Sequence, residues 1–278
     1  MQEQHATWLE SMSTDDASVT PTVSLILPAF NEEQRLPKTL ASVKRFVEQQ
    51  RIAIEVMVVN DGSTDQTAKL VRAAMERWPV LRLVDAPHRG KGGAVRAGVL
   101  AARGQFVAIA DADLSMPIEQ FSRFNAQVFS RCDVAIGSRE APGSHRYHEP
   151  FYRHLMGRFF NLLVQMLLFS GIKDTQCGFK VLRRSVALEL CRAQTIDGWA
   201  FDVEWLVIAR LHGYAVEEVP IDWYHEARSS QIHPVRDSLA MTRELLKIRQ
   251  HARGGQYDAI AHPEASASNP AAAPEIHR

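Results

Sequence analysis

The sequence predicts an α/β protein in which a mainly parallel, doubly wound sheet fills one domain. Three observations lead there. Short apolar runs of strand type alternate with segments whose apolar residues recur every three or four positions, the pattern of strands joined by crossover helices. The strand-type runs are apolar along most of their length, as strands covered on both faces are. The 278 residues are 46% hydrophobic, enough to bury one substantial core.

Taken in order, residues 1–20 carry Glu3, Glu10, Asp15 and Asp16 and lack the basic start and apolar stretch of a secretion signal, so they read as a flexible tail. VSLILP (23–28), IEVMVVN (54–60), LRLVDA (81–86), FVAIAD (106–111) and VAIGS (134–138) are the strands. The first four each lead into a helical pattern. STDQTAKLVRAAMERW opens with Ser63 and Gln66 at capping-box spacing, and GGAVRAGVLAAR and PIEQFSRFNAQVF repeat apolar residues at helical spacing. The folded domain is expected over 21–251. Beyond it, 252–278 is rich in Ala, Pro and Ser, too poor in apolar area to order itself. No internal repeat is visible.

Composition excludes some classes of function. Thirty-two basic and thirty-two acidic residues cancel, so there is no net positive field for a general nucleic-acid binder. Cys132, Cys177 and Cys191 are an odd number without metal spacing and read as free thiols of a reducing compartment, which makes a cytoplasmic location the expectation.

In a doubly wound sheet, ligands bind beyond the carboxyl ends of the strands. PAFNEE, NDGSTD and DAD all fall there. Asp111 and Asp113 stand one residue apart at the end of an apolar run, where two carboxylates repel unless something compensates. Taken alone the pair reads equally as a turn with Asp113 capping a helix. With its neighbours it suits a hard divalent ion, Mg²⁺ or Mn²⁺, which takes oxygen ligands and completes its shell with phosphate. Asp113, past the strand, is the metal ligand in that reading; Asp111, still on the strand, serves a ribose hydroxyl or a group that positions the ligand. HRGKGGAVRAG (88–98) is neither a Walker loop nor a dinucleotide fingerprint. Its glycines either form an ordinary turn or bare a helix start for an anion, with Arg89 and Lys91 adding charge. Asp61 is placed to accept from a base, and Asn31 and Glu32 to reach the same nucleoside; turn chemistry explains each of them as well.

LPAFNEEQRL, VVNDGSTDQT, RGKGGAVRAG, ADADLS, IGSR, KDTQCGFKVLRR and WAFDVEWLVIAR together resemble the family 2 glycosyltransferases of GT-A fold, over about residues 22–249. Among them they are most similar to the dolichyl-phosphate β-glucosyltransferases. The resemblance implies inverting, metal-dependent transfer of a hexose from a nucleotide sugar to a polyprenyl or dolichyl phosphate, with glucose and UDP-glucose favoured. A GDP-mannose-dependent mannosyltransferase and a family member using a soluble hydroxyl acceptor are the alternatives. It further implies that Pro28, Asn31, Glu32 and Asp61 surround the nucleoside, and that Lys91 contacts the diphosphate. Asp111 and Asp113 form the metal motif, and Arg139 faces the acceptor phosphate. Gln176, Lys180, Asp202 and Glu204 lie in the acceptor-side motifs, and for a hydroxyl acceptor Asp202 or Glu204 would be the base. Glu204, within a helical run, also reads as a purely structural charge.

The chain departs from that pattern twice. Where eukaryotic relatives carry Gly-Ser-Lys, it has RSSQIHP, so Gln231 replaces the lysine and Arg228 is the nearby cation for the acceptor. It also has no segment approaching the roughly 20 apolar residues that span a bilayer. Membrane contact falls instead to residues 152–173, whose apolar core is flanked by Arg153, His154, Arg158 and Lys173. That segment reads either as an interfacial helix on the inner face of the membrane or as a buried one.

Overall fold

The computed structural model describes residues 20–225 and 234–258. The two expected tails, apart from their edges, lie outside the described residues, as do Arg228 and Gln231. β1 (Val23–Ala29), β2 (Ile54–Asp61), β3 (Leu81–Ala86), β4 (Phe106–Ile109) and β5 (Val134–Ser138) form where the apolar runs predict them. With β7 (Lys180–Arg183) and β8 (Val216–Pro220) they make a seven-stranded sheet of order β3-β2-β1-β4-β7-β5-β8. β7 runs antiparallel to β4 and β5, and the other pairings are parallel. β7 and β8 carry little apolar signal: KVLR has a cation at each end, and the edge strand VEEVP is only half-buried.

Helices α1 (Leu36–Glu48), α2 (Thr67–Met75) and α3 (Lys91–Ala101) make the crossovers. α1 turns Leu36, Leu40, Val43 and Phe46 to the sheet, one apolar stripe at helical spacing. The sheet thus gains a core on each face, one including Ile26, Val95 and Leu206, the other Leu27, Phe46 and Phe121.

Local chemistry corrects three expectations. α2 begins at Thr67, and the Ser63 hydroxyl, expected to cap it, accepts instead from the Asn31 N–H at 3.0 Å. The helix expected over 117–129 is a 3-10 turn, Ile118–Arg123, followed by α4 (Ala126–Phe129). Asn125 divides them, because its extended backbone and its carboxamide oxygen, which accepts from the Gln127 and Val128 N–H groups, start a new helix. β4 stops at Ile109, so Asp111 lies beyond the strand in the following turn.

The second half adds α5 (Phe151–Leu167), α6 (Arg184–Ala193), α7 (Phe201–Leu211) and α8 (Pro234–Arg253), with a separate parallel pair β6 (His145–Tyr147) and β9 (Asp222–Tyr224). The ordered chain continues past the boundary expected at 251. α8 runs to Arg253, and Tyr257 is fully buried with its hydroxyl donating to Glu204 at 2.8 Å. α5 is shorter than the 152–173 segment. It is also mounted with an apolar stripe outward: Phe151, Leu155, Phe159, Leu162 and Met166 are exposed while Phe160, Asn161 and Val164 face the protein. Among the described residues no helix is long and apolar enough to cross a membrane.

Candidate active site

The loops after β1 and β2 are laced together at the open end of the sheet. Asn31, at φ 54°, accepts from the Thr64 N–H at 2.9 Å, and the Glu32 N–H donates to the Thr67 hydroxyl at 2.8 Å. Pro28 is opposite Val59 in the β1–β2 ladder. The Glu32 carboxylate is 2.7 Å from Arg35, yet burial, with the nearby Asp113 charge adding to it, pushes its pKa up to about 7.

The Asp61 carboxylate is engaged by the neighbouring loop. It is buried at the end of β2 and accepts from the Arg89 N–H at 2.9 Å and the Gly90 N–H at 3.0 Å, with His88 Nδ1 at 2.8 Å. These bonds hold Gly90 at φ 106°, a conformation open to glycine, and so set the entry to α3. Two of the amides expected to meet an anion are therefore already taken, and the Gly93 N–H is taken by the Asp197 carbonyl. Lys91, the first residue of α3, brings its ammonium to the same end of the sheet.

Lys91 Nζ lies 2.6 Å from Asp111 Oδ1. Burial alone would lower this ammonium's pKa, but Asp111, and after it Asp202, hold it above its ordinary value. Asp111 is likewise held low by Lys91 against the pull of burial. It is pressed against the chain before β7: a Cβ on residue 178 would come within 1.9 Å of Asp111 Oδ2, so only glycine fits there. Asp113, two residues on, accepts from the Ser115 N–H at 2.9 Å. Burial first, and the Asp111 charge second, push its pKa up.

That excess of negative charge fits a divalent cation. Among the described residues no group of three or more His, Cys, Asp or Glu could hold a metal ion. The fit is thus to an ion that takes Asp113 and completes its shell with oxygens of a bound phosphate, as Mg²⁺ and Mn²⁺ do.

Arg139 follows β5 and forms a fork on Asp174, Nε to Oδ2 at 2.7 Å and Nη2 to Oδ1 at 2.8 Å, under the ring of Trp223. The pair holds Asp174 at about 2 despite its burial, while Asp174 keeps Arg139 above its ordinary value against the same effect. Lys180 is buried, its ammonium 2.5 Å from Asp202 and bonded to the Cys177 carbonyl, so it supports Asp202 and does not line the cavity. Glu204 is also removed from the reacting space. It is fully buried in α7 and accepts from the Thr195 and Ile196 N–H groups, the Thr195 hydroxyl and Tyr257.

Lys91, Asp111, Asp113, Arg139, Gln176 and Asp202 line one cavity of about 310 Å³. Tyr152, Met156 and Phe160 of α5 give it an apolar wall.

The model of glycosyl transferase family 2 matches residues 24–191. The chain belongs to this family. A dolichyl-phosphate beta-glucosyltransferase of Trichomonas vaginalis is 37% identical over 238 residues, 81% of this chain and 72% of that protein. The Mus musculus dolichyl-phosphate beta-glucosyltransferase is 34% identical over 253 residues, 84% of this chain and 76% of that protein. Among solved structures, glucosyl-3-phosphoglycerate synthase from Mycobacterium tuberculosis in complex with UDP superposes with a TM-score of 0.61 at 19% identity, covering 84% of this chain and 80% of that one. The same enzyme with Mn²⁺, UDP and glucosyl-3-phosphoglycerate gives 0.60 at 19% identity, with the same coverage. The fold of this glycosyltransferase is GT-A.

Several site residues of the glycosyltransferase were not picked out from its sequence. Asp174 locks Arg139, and it sits inside the quoted motif KDTQCGFK, where a strong anion three residues after a turn glycine was the available signal. Trp199 and Trp223 reach the cavity from segments far apart in sequence, and no local pattern marks them.

Two outcomes follow. Glu204→Gln should lower unfolding stability by on the order of 3 kcal/mol in urea titration, because it puts an amide donor among groups that all donate; a catalytic base would instead cost turnover and leave stability unchanged. Glu32 ionises near its usual 4.5 when unfolded but near 7 in the fold, so the native state binds more protons between those values. Its contribution to stability is therefore lost as pH rises from about 4.5 to about 7. The melting temperature of Glu32→Gln should gain on that of the parent as pH rises through this window.

Proposed function

We propose that this enzyme transfers glucose from UDP-glucose to a dolichyl or polyprenyl phosphate, with inversion at the anomeric carbon. The reading is carried by the cavity, which brings Lys91 and Asp113 together with an apolar wall from α5, a helix whose outer stripe is itself apolar. A charged donor and an apolar acceptor can meet there. The names of the curated relatives point the same way for sugar and acceptor.

Lys91 is placed to hold the departing diphosphate, and Asp111 keeps its ammonium charged and aimed. Asp113 would hold a divalent ion, which would supply further neutralisation of the charge that grows on the leaving group. Arg139, fixed by Asp174, presents a cationic edge to the acceptor phosphate, and Gln176 lies beside it. A phosphate monoester is already anionic near neutral pH, with a second pKa of about 6. It attacks without a protein base. A hydroxyl acceptor would need one, and the candidates are engaged: Glu204 is buried in its own network and Asp202 balances the Lys180 ammonium. Arg228 remains a proposed acceptor contact. The exposed stripe of α5, with Arg153, Arg158 and Lys173 near it, would lie among the headgroups of a bilayer as an interfacial helix, making the enzyme peripheral on the cytoplasmic face.

The test is transfer from radiolabelled UDP-glucose to a short polyprenyl phosphate, with GDP-mannose as the competing donor and polyprenol as the competing acceptor. Transfer to the phosphate is expected; transfer to the polyprenol alone would reject it. Asp113→Asn should cut kcat/KM by at least about a hundredfold with the melting temperature kept, and full wild-type activity in excess chelator would remove the metal from the mechanism. The protein should float with anionic liposomes. Replacing Leu155 and Phe159 by Glu should abolish flotation without unfolding, since both side chains face outward.

A further inference from the structure

We propose that Trp199 is the platform on which the transferred hexose stacks, and that the loop 195–200 is built to hold its indole in place. This rests on the nucleotide-sugar reading above and assigns the sugar its own contact.

The loop is tied on both sides of its large side chain. The Thr195 and Ile196 N–H groups donate to Glu204, each at 2.9 Å. The Asp197 carbonyl accepts from the Gly93 N–H of α3 at 3.1 Å, and the Ala200 N–H donates to Glu244 of α8 at 3.1 Å. Gly198 lies flush on α8, since a Cβ there would come within 2.3 Å of the Glu244 carboxylate. An indole has a large apolar surface to bury. Trp199 instead stays 40% exposed at the cavity.

Its position relative to the charges names the occupant. Lys91 Nζ is 5.7 Å from the ring centroid, within range of a cation–π contact. In a nucleotide sugar the hexose is bonded directly to the phosphate that such a cation holds. A ring beside Lys91 is therefore beside the sugar. A hexose presents a face of C–H bonds and a rim of hydroxyls. The indole covers the first, and Asp202, three residues on and lining the same cavity, can accept from the second.

Calorimetric titration of wild type, Trp199→Ala and Trp199→Phe with UDP and with UDP-glucose, in the presence of Mn²⁺, separates the sugar contact from the diphosphate contact. Trp199→Ala should bind UDP as wild type does but UDP-glucose between about twofold and about tenfold more weakly. Trp199→Phe should recover part of the loss, and kcat/KM for the donor should fall in the same order. Equal weakening of UDP and UDP-glucose would overturn the inference by assigning the indole to the diphosphate. Unchanged donor binding with a raised KM for polyprenyl phosphate would overturn it by assigning the indole to the lipid. Failure of wild type itself to bind UDP-glucose would reject the donor reading and this inference with it, a result distinct from both.

Discussion

The site depends on how charge is buried at the open end of the sheet. Lys91 and Asp111, 2.6 Å apart, set the pattern, and Lys180 with Asp202 and Arg139 with Asp174 repeat it at 2.5 and 2.7 Å. A buried charge without a partner costs several kcal/mol, so each ion here fixes the place of another. Asp113 stands outside this pairing, answered by a backbone N–H and raised by its neighbour. An unbalanced carboxylate thus stands beside a lysine in one cavity, an arrangement with room for a cation and an anion side by side.

The same pairing explains the glycines. Gly178 exists because Asp111 must approach the chain before β7 to meet Lys91, and Gly90 because Asp61 must fold the preceding loop so that α3 begins at Lys91. Both are consequences of aiming one ammonium. The start of α3 thereby brings the Lys91 side chain to the cavity, while the Arg89, Gly90 and Gly93 amides are bonded within the protein.

Much of this was legible in the sequence and some was not, for physical reasons. The five apolar strands were visible because burial on both faces demands uninterrupted apolar residues. β7 and β8 were hidden because one is four residues long and the other an edge, where Glu217 and Glu218 can remain partly in solvent. Asp111, Asp113, Lys91, Arg139, Gln176 and Asp202 do share one cavity. For Glu204 and Asp61 a sequence shows that a carboxylate is present but not which N–H groups surround it. Backbone donors bond these oxygens, for Asp61 from the loop before α3 and for Glu204 from the loop before its own helix. Ser63 failed as a cap for a similar reason, since the loop after β1 competes for its hydroxyl.

The arrangement of α5 joins the site to its surroundings. Tyr152, Met156 and Phe160 face the cavity, while Phe151, Leu155 and Phe159, each one position earlier, face outward. On a helix that offset is about 100°, so the two apolar surfaces are continuous around its side. The inward side is pinned by Asn161, which donates to the Lys173 carbonyl at 2.9 Å and accepts from the Thr175 hydroxyl at 3.0 Å. Residues 173 and 175 flank Asp174, the anchor of Arg139. One short loop therefore joins α5 to the carboxylate that fixes the Arg139 guanidinium.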